Sequence, residues 1–178
     1  MNTLVVGVGD CLVSKDPQGT LVTYALGSCI AILIHDPVAR VGGLLHYMLP
    51  ESSIDSAKAR QRPFMYADTG IPILFRTAYR LGAEKSRLYV AAVGGAQVMD
   101  PHGTFNIGKK NYFALRKIFQ NARVTVDTEE VGGTASRTVR LEIATGKILL
   151  RQGEEERELP KTGQFKTGLA NGIQHSAC

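Results

Sequence analysis

Cysteine is scarce in this chain of 178 residues, and its three occurrences, Cys11, Cys29 and Cys178, lie far apart. An odd, widely spaced set rules out a disulfide framework and lacks the paired spacing of a zinc module. It fits a reducing cytoplasm, where a free thiol survives. Long apolar runs are also missing: nothing approaches the roughly 20 residues that span a bilayer. Leu4-Val5-Val6 is too short for a signal-peptide core and has no basic flank, so the expected location is cytoplasmic, without membrane insertion. The net charge is +5, yet no basic stripe exists. Lys58, Arg60, Arg62, Arg76, Arg80, Lys109 and Lys110 are spread among acids without interleaved aromatics, which argues against nucleic acid as a partner. A scattered excess of this kind is a solvated surface that steers the protein towards acidic partners at low salt. No segment repeats. With 44% hydrophobic and 21% charged residues, one globular domain with a sizeable core is expected.

What is present centres on Leu21 to Pro50. Two apolar runs, Ile30 to Ile34 and Val41 to Leu49, flank the polar link Asp36 to Arg40, a hairpin signal with a loop longer than two residues. A loop symmetric about Pro37 and Val38 sets His35 opposite Arg40, Ile34 opposite Val41 and Cys29 opposite His46. Opposed residues of an antiparallel pair have Cβ atoms about 5 Å apart. That places a thiol beside an imidazole, an arrangement that yields a thiolate at neutral pH. A one-residue slip would bring Tyr47 opposite instead. The bland alternative is a small buried cysteine and a structural histidine. Gly27-Ser28 before Cys29 favours the chemical reading, because a turn there aims backbone N–H groups at an oxyanion.

These residues carry a family resemblance. Thr23 with Ala-Leu-Gly-Ser-Cys29, then His35-Asp36-Pro37, Gly42-Gly43-Leu-Leu-His46 and Leu49-Pro50, resembles the chemoreceptor glutamine deamidases, CheD. Tyr66-Ala67-Asp68, Gly94-Gly95-Ala96, Asn106 to Asn111, Gly132-Gly133 and Thr145-Gly146 extend it over roughly residues 5 to 150. The resemblance implies a Cys29–His46–Thr23 site that hydrolyses glutamine side chains of methyl-accepting chemotaxis receptors to glutamate. It implies no cofactor or metal, and a fold like that of cysteine-dependent toxin deamidases. It also implies a second possible partner, a CheC-type phosphatase, so that binding rather than catalysis is the alternative role. Gly27 and Ser28 are the expected oxyanion and substrate-binding residues. One departure stands out: Ser136-Arg137 replaces the family's usual Gly-Arg, which bears on the local backbone.

Three competing motifs fail on their details. Gly103-Thr-Phe-Asn-Ile-Gly108-Lys109 follows the phosphate-loop pattern until Lys110 stands where Ser or Thr must ligate Mg²⁺; helix capping is the better reading. A zinc site from Cys11, Cys29, His35 and His46 lacks helical His spacing. Ser28 lacks the second glycine of a nucleophile elbow.

Along the chain, strands are expected at Leu4–Val8, Cys11–Val13, Leu21–Tyr24, Arg87–Val93 and Arg123–Asp127, with a hairpin of Arg137–Ile143 and Lys147–Arg151. Gly94-Gly95 marks a close backbone approach. Ile71, Leu74, Phe75, Ala78 and Tyr79 recur at helical spacing, with Asp68 or Thr69 as N-cap. A second helix, Lys109 to Gln120, is expected to bury Phe113, Leu115, Ile118 and Phe119. The fold class is therefore mixed α/β, with largely antiparallel sheet layers and flanking helices. The catalytic domain is read as 1–152, followed by a charged to polar C-terminal tail, 153–178, partly ordered.

Overall fold

The computed structural model describes residues 2–98 and 102–161. Its strands are β1 (Asn2–Val5), β2 (Asp10–Ser14), β3 (Gly19–Leu26), β4 (Ile30–Asp36), β5 (Val41–Tyr47), β6 (Tyr89–Gly94), β7 (Thr128–Val131), β8 (Arg137–Glu142), β9 (Ile148–Gln152) and β10 (Glu155–Glu158). The helices are α1 (Ser56–Gln61), α2 (Ala67–Arg80) and α3 (Ile107–Ala122). Two five-stranded sheets form, in the orders β1-β3-β8-β9-β10 and β2-β5-β4-β6-β7. Among the strand pairs of the described residues β1–β3 and β6–β7 are parallel and the others antiparallel, so the mixed, largely antiparallel α/β class holds.

Strand β4 sits at the centre, and every residue in it is buried. Its period of two divides the core. Ala31 and Leu33 face the first sheet with Leu44, Ala91, Val139 and Leu141. Ile30, Ile32 and Ile34 face the helices with Leu74, Phe75, Leu115 and Phe119. A strand buried on both faces reads as the continuous apolar run seen in the sequence.

The hairpin register differs from the symmetric expectation. Asp36 pairs with Val41, His35 with Gly42 and Ala31 with His46, so Cys29 is not directly opposite His46. The cause is Asp36. Its carboxylate accepts the N–H groups of Val38 and Ala39 at 2.8 and 3.0 Å, which keeps it in the strand and moves the turn onward. Arg40, at φ 51°, closes that turn. The shift is two residues, so each side chain keeps its face.

Asp36 is fully buried and also takes bonds from Arg87 at 2.8 and 3.2 Å and from the Glu84 N–H at 2.8 Å. Burial alone would raise its pKa, but the bonds from Arg87 and the three N–H groups outweigh it and hold the carboxyl at about 2. Folding stability from this group is present above the unfolded pKa near 3.8 and is lost as pH falls towards 2. The expected loss is about 2 kcal/mol across that window. Urea midpoints of wild type and Asp36→Asn at pH 2 and pH 6 check it: the gap between the proteins should narrow in acid.

Several local expectations are corrected. Helix α2 starts at Ala67, before the expected caps; Asp68 instead accepts Ser52 N–H and Oγ at 2.9 and 2.7 Å. On α3 the buried stripe is Gly108, Asn111, Leu115 and Phe119, whereas Phe113 is 69% exposed. The 123–127 segment is not a strand: Arg123 (φ 51°) and the Val124 N–H to the Phe119 carbonyl end α3, and β7 follows. Within the segment read as a tail, β10 pairs with β9. Residues 162–178, Cys178 included, lie outside the described residues.

Candidate active site

Thr23 and His46 meet between the sheets. Thr23 Oγ1 lies 2.7 Å from the Val6 carbonyl and 2.7 Å from His46 Nδ1. A carbonyl only accepts, so the single hydroxyl proton goes to Val6. Thr23 must then accept from His46, which fixes the tautomer: Nδ1 carries the proton and Nε2 the lone pair. Nε2 is buried and has no hydrogen-bond partner among the described residues, an arrangement that calls for a functional explanation.

Cys29 ends the Gly27-Ser28-Cys29 turn immediately before β4. Extended from Ala31–His46, the register sets Cys29 diagonal to His46 on the same sheet face. Directly opposed residues are closest, and diagonal ones remain within reach of longer side chains. The turn is fixed by its three carbonyls. Gly27 accepts from Ala96 N–H at 2.7 Å, Ser28 from Asn111 Nδ2 at 3.0 Å and Cys29 from Gly95 N–H at 2.8 Å. Gly94 (φ 118°) must be glycine, since a Cβ there would sit 2.2 Å from the Cys29 carbonyl oxygen. The close approach expected at Gly94-Gly95 is therefore an approach to the Gly27-Ser28-Cys29 turn.

Burial sets the protonation states. It raises the Cys29 thiol above its ordinary value and pushes His46 down to about 4. At neutral pH both groups are uncharged, in contrast to the thiolate expected from direct opposition. Cys11 is further removed from reactivity: burial, then Asp10, drives its thiol to about 12.

A groove of about 490 Å³ opens at Cys29, lined by Ala25, Gly27, Ser28, Val98, Phe105 and Ser136 among others. Val98 and Phe105 are exposed at its side. Ala25 holds φ 53° inside a bulge of β3, where pairing with β8 shifts between Thr23 and Leu26. Bulges and strained residues concentrate beside functional sites. Ser136 is not among the positive-φ residues, so the departure from Gly costs no backbone strain.

The decoys resolve physically. His35 Nε2 lies 3.0 Å from the Ile143 carbonyl, and among the described residues no three His, Cys, Asp or Glu side chains gather as a metal site. Asn106 (φ 50°) stands at the N-cap position of α3 without a side-chain cap bond; its side chain instead donates to the Gly103 carbonyl and accepts from Gln97 Nε2. One site residue escaped sequence reasoning. Asn111 is fully buried and its Nδ2 reaches both the Ser28 and Met48 carbonyls, at 3.0 and 2.9 Å. It thus ties the cysteine turn to the strand that carries His46.

Comparison with known proteins follows the same line. A family model described as CheD, chemotactic sensory transduction, matches residues 48–152. The chain is 52% identical over 168 residues, 94% of its length, to a probable chemoreceptor glutamine deamidase CheD of Solibacter usitatus, 99% of which is covered. It is 49% identical to a probable chemoreceptor glutamine deamidase CheD 1 of Syntrophus aciditrophicus, over 89% of this chain and 100% of that one. Against the chemoreceptor glutamine deamidase CheD of Thermotoga maritima identity is 38%, over 87% and 96%. The chain belongs to the CheD family. The CheD model begins beyond Thr23, Cys29 and His46, so their grouping rests on the geometry above. No helix among the described residues is long and apolar enough to cross a membrane.

Proposed function

We propose that this chain is a protein-glutamine deamidase acting on chemotaxis receptors in the cytoplasm, with Cys29 as nucleophile, His46 as base and acid, and Thr23 as the residue that orients the imidazole. The observation that carries the reading is the Thr23–His46 bond, which leaves Nε2 as a buried lone pair with no partner among the described residues, on a histidine that shares its sheet face with Cys29. The names of the relatives, chemoreceptor glutamine deamidases, supply the substrate class.

The chemistry starts from a neutral pair. As the thiol attacks the glutamine carboxamide carbon, its proton passes to His46 Nε2, so no thiolate need accumulate beforehand. The step requires the Cys29 thiol to reach Nε2 from its diagonal position on the same sheet face. The carbonyls of the turn are held by Ala96, Asn111 and Gly95, and the Ser28 and Cys29 N–H groups of the same turn serve as oxyanion donors. Protonated His46 returns its proton to the amide nitrogen, the C–N bond breaks and ammonia leaves. His46 then takes a proton from water as the oxygen attacks the thioester. The C–S bond breaks, the thiol regains its proton, and glutamate remains. A groove with an apolar, exposed flank suits a side chain presented on a protein surface rather than a free metabolite.

The same exposed flank at Val98 and Phe105 favours a second ligand, a CheC-type phosphatase that competes for the groove. Mass spectrometry of receptor fragments incubated with this protein tests both ideas. Replacement of amide NH₂ by OH at defined glutamines is expected, slowing as such a phosphatase is added. Absence of conversion, or rapid hydrolysis of free glutamine, rejects the main reading; conversion unchanged at saturating phosphatase rejects the shared groove.

A further inference from the structure

Two polar contacts join the sheets on either side of Cys29. The chain crosses from the first sheet to the second through Gly27-Ser28-Cys29, out of β3 and into β4, and β4 lies between β5 and β6. On the β5 side the tie is Thr23 to His46, at 2.7 Å. On the β6 side it is Arg137, which pairs with Leu26 and whose Nη1 reaches the Gly94 carbonyl at 3.4 Å. Val139, the partner of Thr23, lies two residues from Arg137 on the same face of β8. The two ties therefore stand about 7 Å apart along the strand.

We propose that Arg137 is a positioning residue for Cys29 and His46, holding the two sheets at the separation that lets Thr23 orient the imidazole. The proposal rests on the deamidase reading for the chemistry those residues perform.

The Gly94–Gly95 peptide transmits the contact. Its oxygen accepts from the Gly132 N–H at 2.9 Å and from Arg137, and its own N–H, on Gly95, donates to the Cys29 carbonyl at 2.8 Å. Hydrogen bonds in such a chain polarise one another. The guanidinium also lies against Gly133, where a Cβ would come 3.3 Å from Nη2. The Gly133 carbonyl in turn accepts from the Gln97 N–H at 2.9 Å, and Gln97 lines the Cys29 groove. One side chain thus touches both glycine pairs behind the turn.

Stability alone explains this arginine badly. It is only 8% exposed, and its Nε is buried with no hydrogen-bond partner among the described residues. The neighbouring Glu130 carboxylate is engaged by Arg157 at 2.6 Å, and burial pulls the Arg137 pKa down. A cation so desolvated costs more than one long bond returns, and an apolar side chain of similar volume is often neutral or better for stability. What the arginine supplies is a fixed distance between the sheets where the chain crosses.

The test is Arg137→Met, with Arg137→Lys beside it. On a chemoreceptor cytoplasmic fragment, Arg137→Met is expected to lower kcat about tenfold or more and to move KM by less than about twofold. Its urea midpoint should equal or exceed that of the wild type. Arg137→Lys keeps a donor for Gly94 without the planar fork and should recover part of the lost kcat. A second readout needs no substrate: the ring-nitrogen chemical shifts of His46 at pH 7, where the imidazole is neutral. They should report one Nδ1–H tautomer in the wild type and a mixture in Arg137→Met. Wild-type kcat in Arg137→Met, or an unchanged tautomer, overturns the proposal. So does a fall in kcat matched by a lower urea midpoint, or an Arg137→Met chain that fails to fold, since either makes the arginine structural. A mixed tautomer in Arg137→Met, with no glutamine converted by the wild type, upholds the positioning and rejects deamidation. Conversion by the wild type at a rate that Arg137→Met shares rejects the positioning and leaves the deamidase reading standing.

Discussion

Cys29→Ala is expected to abolish receptor deamidation while leaving the fold in place. The thiol sits at the end of the Gly27-Ser28-Cys29 turn, whose carbonyls are held by Ala96, Asn111 and Gly95, so none of those bonds needs the sulfur. Removing it from a half-buried position should cost about 1 kcal/mol or less. Removing the nucleophile should lower turnover by on the order of 10⁴ or more. Cys11→Ala is the matched control. That side chain packs against the helix-side core and its thiol is held protonated to about pH 12, so stability moves and rate does not. Ammonia release and urea midpoints on the two variants check the pair. Native-rate turnover by Cys29→Ala would sink the mechanism.

His46→Ala should reduce turnover by on the order of 10² or more, the usual worth of a positioned acid–base group. The pH profile carries the sharper signature. Burial holds the His46 pKa at about 4, so its Nε2 stays unprotonated through pH 5 to 7. The rate should persist in that range and fall only as pH drops through about 4, in contrast to an exposed histidine near 6.5. The acid limb must be read from initial rates, since the neutral folded histidine also draws stability away between pH 6.5 and 4, where the unfolded chain binds the proton. Burial raises the Cys29 thiol as well, so alkylation by iodoacetamide should have a midpoint no lower than that of a free thiol, about 8.5. A rate that fell off near pH 6.5, or an alkylation midpoint near 6, would show a pre-formed ion pair and contradict the neutral-pair mechanism.

What the sequence made legible follows from which patterns are local. The two apolar runs around Asp36–Arg40 announced the hairpin, and the alternation placed Cys29 and His46 on one face even though the partner was wrong by two residues. Periodicity fixes the face; the loop fixes the partner. Here the loop was shaped by a buried carboxylate whose other ligands, Arg87 and Glu84, come from far along the chain, beyond the reach of local reading. Thr23 was nameable from the resemblance, but its bond to His46 depends on two sheets closing on each other. Phe113 was misplaced because a helix with apolar residues on two sides does not say which side packs; Asn111, Leu115 and Phe119 did. Asn111 entered the sequence reading only as the end of the Asn106–Asn111 motif, and only tertiary structure gave it the Ser28 and Met48 carbonyls.

Those bonds to the Gly27-Ser28-Cys29 turn have a consequence for motion. The Gly95 and Ala96 amides belong to the segment after β6, and Asn111 lies on α3. Cys29 cannot swing outward unless bonds to both segments break together, beside a central strand with no edge open to water. Slow amide exchange at Gly95 and Ala96 would register that joint opening directly. On the proposed deamidation the turn would act as a fixed anvil, and the backbone adjustment needed to seat a glutamine would fall to the receptor.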